Sequence, residues 1–256
     1  MEKTAPIQAS QHTFDANERA SLYKTILNRR DVRGQFLPDE IPEDVLARVL
    51  VAAHHAPSVG FMQPWDFMLI KDQAVRGQVH NMFKSAHETS ALMFDEEKQA
   101  TYRQLKLEGI MESPLNICIT CDRDRTGPVV IGRTTMKEMD LYSSVCAVQN
   151  FWLAARAEGL GVGWVSILHR KALQEILGLP NRVVPVAYLC VGYVSHFFDK
   201  PELESAGWLK RRPLEETIMF DQWENRESAD ADSLLAEARR QHQLVADGDF
   251  LNALDP

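Results

Sequence analysis

Arg29-Arg30-Asp31-Val32-Arg33 sets three guanidiniums and one carboxylate within five residues. The planar arginine fork matches a phosphate or a carboxylate through two hydrogen bonds at once, so the chemistry this run offers is capture of an anion. The ordinary alternative is a solvated basic helix end that complements the helix dipole. Other reactive residue types are less promising. Cys118-Ile-Thr-Cys121 spells C-x-x-C, but it lies in Leu115–Cys121, an apolar run that reads as a buried strand. Three positions apart on a strand means opposite faces, so the two sulfurs cannot share a metal or close easily into a redox pair. His54-His55 end a helical pattern and point about a hundred degrees apart, which favours capping or packing over ligation. No G-x-G-x-x-G, Walker A, H-E-x-x-H or G-x-S-x-G occurs, so the common nucleotide, zinc and serine-hydrolase signatures are missing.

The elements that must position the arginine run follow from periodicity. Leu22, Ile26 and Leu27 recur at helical spacing over Glu18–Arg29, and Gly34 stops the pattern, placing the arginines at a helix exit. A second helix starts at Pro42 and carries Val45, Leu46, Val49, Leu50 and Ala53 on one face. It ends in His54-His55-Ala56-Pro57-Ser58-Val59-Gly60, a loop rich in breakers. Trp65–Lys71 reads as a strand, and Asp72 is a good N-cap for a helix running to about Phe83. Residues 84–108 are polar, helical and dotted with Met and aromatics, a candidate lid. Lys137–Glu158 is the most apolar helix, hence central, with Gly159 beyond its end. Gly161–Ile167 and Pro185–Tyr193 are strands flanking a short helix at Lys171–Leu177, and a polar helix near Ala229–Val245 closes the chain. Helices interleaved with three or four strands predict an α+β sandwich.

Composition sets bounds. The 256 residues can bury a large core, and 45% hydrophobic with 25% charged residues is ordinary for a soluble globular protein. A net charge of −8 argues against nonspecific binding to nucleic acid or an anionic membrane, while leaving room for a small anion held by local arginines. Four cysteines do not make a disulfide framework in a chain this long. No apolar run reaches the length of a membrane span, and the N-terminal residues lack a signal-peptide core, so the expected location is the cytoplasm.

Several segments together carry a family likeness. Arg29-Arg30-Asp31-Val32-Arg33 resembles the R-R-S-V-R start of the FMN-dependent nitroreductase superfamily. Ala56-Pro57-Ser58-Val59-Gly60-Phe61-Met62-Gln63-Pro64-Trp65 resembles its A-P-S-x-x-N-x-Q-P-W loop, and Gly159-Leu160-Gly161-Val162-Gly163-Trp164 its G-L-G-x-x-W segment. Lys210-Arg211-Arg212-Pro213-Leu214-Glu215-Glu216 is similar to the second phosphate-binding segment of the family. The departures point to a subfamily. Asp31 stands where simple nitroreductases have serine, Phe61 stands where they have asparagine, and Ser166 follows Gly163-Trp164-Val165. With the Trp208–Glu215 tail, these features resemble the 5,6-dimethylbenzimidazole synthases (BluB type).

That resemblance implies a nitroreductase-like three-layer sandwich with a central, mainly antiparallel sheet, and a homodimer that exchanges terminal arms. It divides the chain into an N-terminal arm at 1–17, an FMN-binding domain at 18–222 and a C-terminal extension at 223–256. The implied activity is O2-dependent fragmentation of reduced FMN to 5,6-dimethylbenzimidazole and D-erythrose 4-phosphate, with a separate NAD(P)H-dependent reductase supplying the flavin. Carried over by position, Arg29, Arg33 and Arg211 hold the FMN phosphate, and Arg30 reaches the phosphate or ribityl oxygens. Ser58 binds the ribityl or phosphate side, and the main chain at Gly163 faces the flavin edge. Asp31 is pulled toward ionisation by its arginines and toward protonation by burial, which suits acid/base work, and Ser166 positions an intermediate. Phe61, Met93 and Phe94 are candidates for apolar cover over a site that must exclude water. The simpler alternatives are an ion pair for Asp31, a backbone hydrogen bond for Ser166, and core or interface packing for the apolar residues. Two other functions stay open: an NAD(P)H-dependent nitroreductase or quinone reductase, and an FMN-binding protein without catalysis.

Overall fold

A computed structural model describes residues 13–227 and 231–254. Residues 1–12 of the expected N-terminal arm and positions 229–230 of the expected final helix lie outside the described residues. The chain divides into two compact units, Arg29–Trp208 and a terminal unit of Met1–Asn28 with Leu209–Pro256.

The larger unit is built on four antiparallel strands in the order β1-β2-β4-β3, where β1 is Trp65–Ile70, β2 Leu115–Asp122, β3 Leu160–Val165 and β4 Val183–Tyr193. The first seven residues of β2 are all buried, as expected of a strand covered on both faces. Its register against β4 shifts between Ile119 and Thr120, opposite Ala187 and Pro185. Proline has no N–H to give the ladder, so a bulge there is the natural accommodation.

Alternation along the strands fills two apolar layers. One face packs Ile117, Ile119, Leu189 and Val191 against α2 (Glu43–His54) and α5 (Met139–Ala157), through Val49, Ala53, Val148 and Phe151. The other packs Ile70, Cys118, Tyr188 and Cys190 against α3 (Gln73–Ala91) and α6 (Arg170–Ile176), through Val79, Phe83 and Leu173. The expected three-layer α+β sandwich is the fold found. The C-x-x-C sulfurs face opposite layers, Cys118 in the α3 layer and Cys121 beside Ser144 of α5. Burial pushes their thiols up to about 12 and about 11.

Helix α5 carries buried residues from Asp140 to Ala155. At its start Asp140 is fully buried and ion-paired with Arg123 at 2.8 Å and Arg133 at 3.6 Å, which ties down the irregular 122–135 loop. Helix α3 runs eight residues past the expected end near Phe83. Ala86 and Ala91 are buried, and His87 stacks between Phe83 and Tyr102 at 5.5 and 4.6 Å, so tertiary packing extends the helix. Much of the 84–108 stretch is therefore the end of α3 and a short helix α4 (Glu96–Gln104), capped by Asp95 accepting from Lys98 N. Phe94 and Tyr102 meet Trp208, at 5.2 and 6.1 Å between ring centroids, beyond α7 (Glu202–Ser205). Trp208→Ala is expected to cost about 1–2 kcal/mol and to speed amide exchange in α4 selectively, since edge-on aromatic pairs contribute on that order beyond their area. Uniform exchange across α3 and α4 in the variant would count against this clasp.

In the terminal unit, α1 (Ala16–Asn28) buries no residue, and Tyr23 meets Phe250 edge-on at 5.5 Å. Helix α8 (Ala231–Asp247) carries Arg239, paired with Glu215 at 3.1 Å, and His242, whose Nδ1 accepts from Leu214 N. Among the described residues no helix is long and apolar enough to cross a membrane.

Candidate active site

Strand β3 is at the sheet edge, and the arginine run lies along it. Asp31 bridges Val162 in parallel sense, and Val32 N donates to Val162 O at 3.0 Å. The next outward-facing donor of β3, Trp164 N, is taken by Asp31 Oδ1 at 2.9 Å. The carboxylate thus continues, with its side chain, the pairing that its backbone begins, and the edge is covered. Gly163 makes this approach possible. A Cβ there would overlap the Val32 carbonyl oxygen, and it would also sit 3.8 Å from Asp31 Oδ1.

The second oxygen, Asp31 Oδ2, accepts from Arg33 at 2.7 Å. Arg33 is 8% exposed, and its other terminal nitrogen is 3.5 Å from Glu202 Oε2 at the start of α7. Arg30 donates to the carbonyl of Asp199, so two arginines of the run hold the 199–202 segment. Arg29 lies over the Trp152 ring, 4.7 Å from its centroid, with Trp164 another 6.3 Å from Trp152. Burial pushes the Asp31 carboxyl above its ordinary value, against the pull of Arg33, the Trp164 N–H and Arg29. Burial raises Glu202 as well, with Arg33 opposing and Asp31 adding to the rise.

The structure thus brings Asp31, Arg33 and Gly163 together, with Arg29 close enough to act on Asp31 electrostatically. Ser58 and Phe61 form a second group, against α5 and the 130–132 loop. Val59 N donates to Ser143 Oγ at 3.2 Å, and Gly60 fits against Val130 and Ile131. Ser58 Oγ accepts from Gln63 N at 3.1 Å, which leaves its O–H as a donor. Phe61 is 81% exposed and, like Gln63, has a positive φ, a conformation that bulky residues rarely adopt. Ser166 is exposed just past the end of β3, and its carbonyl accepts from Leu168 N. Met93 is exposed, whereas Phe94 is packed in the aromatic clasp. Arg211 is exposed in the terminal unit. Of the pair His54-His55, His54 Nδ1 accepts from Trp65 Nε1 and His55 Nδ1 bonds Val51 O, so both serve packing and capping.

No motif points to Glu202, Trp152 or the Asp199 carbonyl. Glu202 and Asp199 meet the arginine run only through the fold, and Trp152 reads as one more apolar position on α5.

The nitroreductase family profile matches residues 26–193, from just before the arginine run to the end of β4. The chain belongs to the nitroreductase family. Among nitroreductase-family relatives, a 5,6-dimethylbenzimidazole synthase of Rhodospirillum rubrum is 42% identical over 200 residues, 78% of this chain and 94% of that one. Two solved structures share the nitroreductase fold at lower identity. A BluB-like flavoprotein from Clostridium difficile 630 has a TM-score of 0.59 at 18% identity, covering 78% of this chain and 99% of that one. Oxidized iodotyrosine deiodinase bound to FMN and 3-iodo-L-tyrosine has a TM-score of 0.60 at 19% identity, covering 80% and 99%.

Proposed function

We propose that this chain is a 5,6-dimethylbenzimidazole synthase, which breaks down reduced FMN with O2 and releases D-erythrose 4-phosphate beside the benzimidazole that becomes the lower ligand of cobalamin. The observation that carries the reading is the 42% identity to the Rhodospirillum rubrum synthase across nearly all of its length. The donor set fits FMN. In a chain of net charge −8, the Arg29 guanidinium lies on the Trp152 ring and the Arg30 guanidinium donates to the Arg29 carbonyl, cationic and aromatic groups of the kind that suit a ligand joining a phosphate to an aromatic ring.

Reduced FMN supplies both the electrons for O2 and the carbon skeleton of the product. The residues of this chain bind, orient and move protons. Arg29 and Arg30 attract the phosphate, and Ser58 donates to the ribityl chain through its O–H. The main chain at Gly163 lines the flavin edge, and Ser166 donates a hydrogen bond at the mouth of β3. Asp31 takes and returns a proton, its carboxyl held by Arg33 and the Trp164 N–H in one orientation. Phe61, Met93 and Phe94 form the apolar cover. The working unit is a homodimer served by a separate NAD(P)H-dependent flavin reductase.

The test is to photoreduce FMN without oxygen, add the purified protein, admit air and look for 5,6-dimethylbenzimidazole by mass. Product at stoichiometric yield is the expected result. Intact FMN, together with NADPH-driven turnover of a nitroaromatic, would replace this reading with that of a conventional nitroreductase.

A further inference from the structure

Arg33 holds two carboxylates with one charge. Its terminal nitrogens are 2.7 Å from Asp31 Oδ2 and 3.5 Å from Glu202 Oε2, and the guanidinium between them is buried. Arg33 on one oxygen and the Trp164 N–H on the other both stabilise the Asp31 anion, and burial opposes them. The balance between these pulls sets how readily Asp31 carries a proton at neutral pH.

We infer that Glu202 is a positioning residue that tunes Asp31, drawing part of the field of Arg33 away so that the Asp31 carboxyl can gain and lose a proton; its part in catalysis rests on the reaction proposed above. The groups facing the pair are Arg33 and Arg29 from the arginine run and the Trp164 N–H from β3. Glu202 Oε2 is buried without a hydrogen bond, and the opposite charge it faces is that of Arg33, 3.5 Å away. An acceptor held by charge without a hydrogen bond can act on its neighbour electrostatically while leaving the geometry of Asp31 to Arg33 and Trp164. The likeness of sign completes the case: burial and mutual repulsion both favour one proton on the pair, and Arg33 decides which carboxyl holds it.

The Trp164 amide reports Asp31 directly, because its N–H bonds Asp31 Oδ1. Its chemical shift should be followed against pH in the full chain, in wild type and in Glu202→Gln, Glu202→Asp and Glu204→Gln. Removing the Glu202 charge returns the whole field of Arg33 to Asp31, so the midpoint is expected to fall by roughly one pH unit in Glu202→Gln. Glu202→Asp should restore most of the wild-type midpoint, and Glu204→Gln, on the same short helix, should leave it unchanged. The pH profile of product formation should move toward acid by the same amount in Glu202→Gln. An unmoved Trp164 midpoint in Glu202→Gln would overturn the inference, and so would loss of the folded state in this shape-preserving variant, which would make Glu202 a structural strut. A falling midpoint in a protein that returns reduced FMN intact would leave the tuning standing and remove the reaction.

Discussion

Asp31→Asn is expected to lower the rate of 5,6-dimethylbenzimidazole formation by about 10²–10⁴-fold, the range over which a positioned acid or base accelerates a reaction. The change is close to isosteric, so it isolates the proton from the shape. The new carboxamide can still offer an oxygen to Trp164 N or to the guanidinium of Arg33, but its amide N–H then faces the remaining donor, and one of the two bonds is lost. Stability should respond differently from activity. Because burial raises the Asp31 carboxyl in the folded state, its contribution is fully present below the unfolded-state pKa and is lost as pH rises through the folded-state value. At neutral pH a neutral side chain therefore removes a cost while it forfeits a hydrogen bond. The two effects oppose, and the melting temperature should stay within about 3 °C of wild type. Initial rates with photoreduced FMN and air, beside a thermal melt at about pH 7, check both. Full activity in the folded variant would remove Asp31 from the chemistry, and a melting loss of about 10 °C or more would make it a structural ion pair.

The chain order of helices and strands was legible because each long apolar run has a clear period and clear stops. Lys137–Glu158 anticipates α5 to within two residues at each end, and Leu115–Cys121 anticipates β2, because only Asn116 and Thr120 interrupt its apolar run. The end of α3 was not legible. Past Phe83 the sequence is polar, and the helix continues because His87 finds Tyr102 across a turn of chain. In the site, Asp31 was legible by its type among arginines, but its partners were not. Trp164 N is a backbone group, silent in any motif, and Glu202 is distant from Arg33 in sequence and meets it only through the fold. By sequence the arginine run reads as a surface for one anion. Its members diverge, with Arg33 on carboxylates, Arg30 on a carbonyl and Arg29 on an indole.

Gly163→Ala should be the most damaging of the conservative changes in this chain. The added methyl would overlap the carbonyl oxygen of Val32, and backbone cannot rotate away as a side chain can. The 31–33 segment must then lift from β3, giving up the Val32 N–Val162 O bond and the Trp164 N–Asp31 bond together. Overpacking plus the loss of these bonds amounts to about 3 kcal/mol, or about 6–12 °C in melting temperature for a chain of this size. Activity should vanish with it, since Asp31 loses its seat. Gly77→Ala is the matched control. That glycine lies inside α3 with nothing within 4 Å of an added Cβ, so alanine should stabilise by about 0.5–1 kcal/mol. The comparison also separates two reasons for a glycine at 163. If the residue is small so that a ligand can approach, Gly163→Ala would keep the wild-type melting temperature of the ligand-free protein and weaken only flavin binding. If it is small so that Val32 can cross, the ligand-free protein itself must melt early and the Trp164 amide must lose its exchange protection. The contact at the Val32 carbonyl makes the second outcome the expected one.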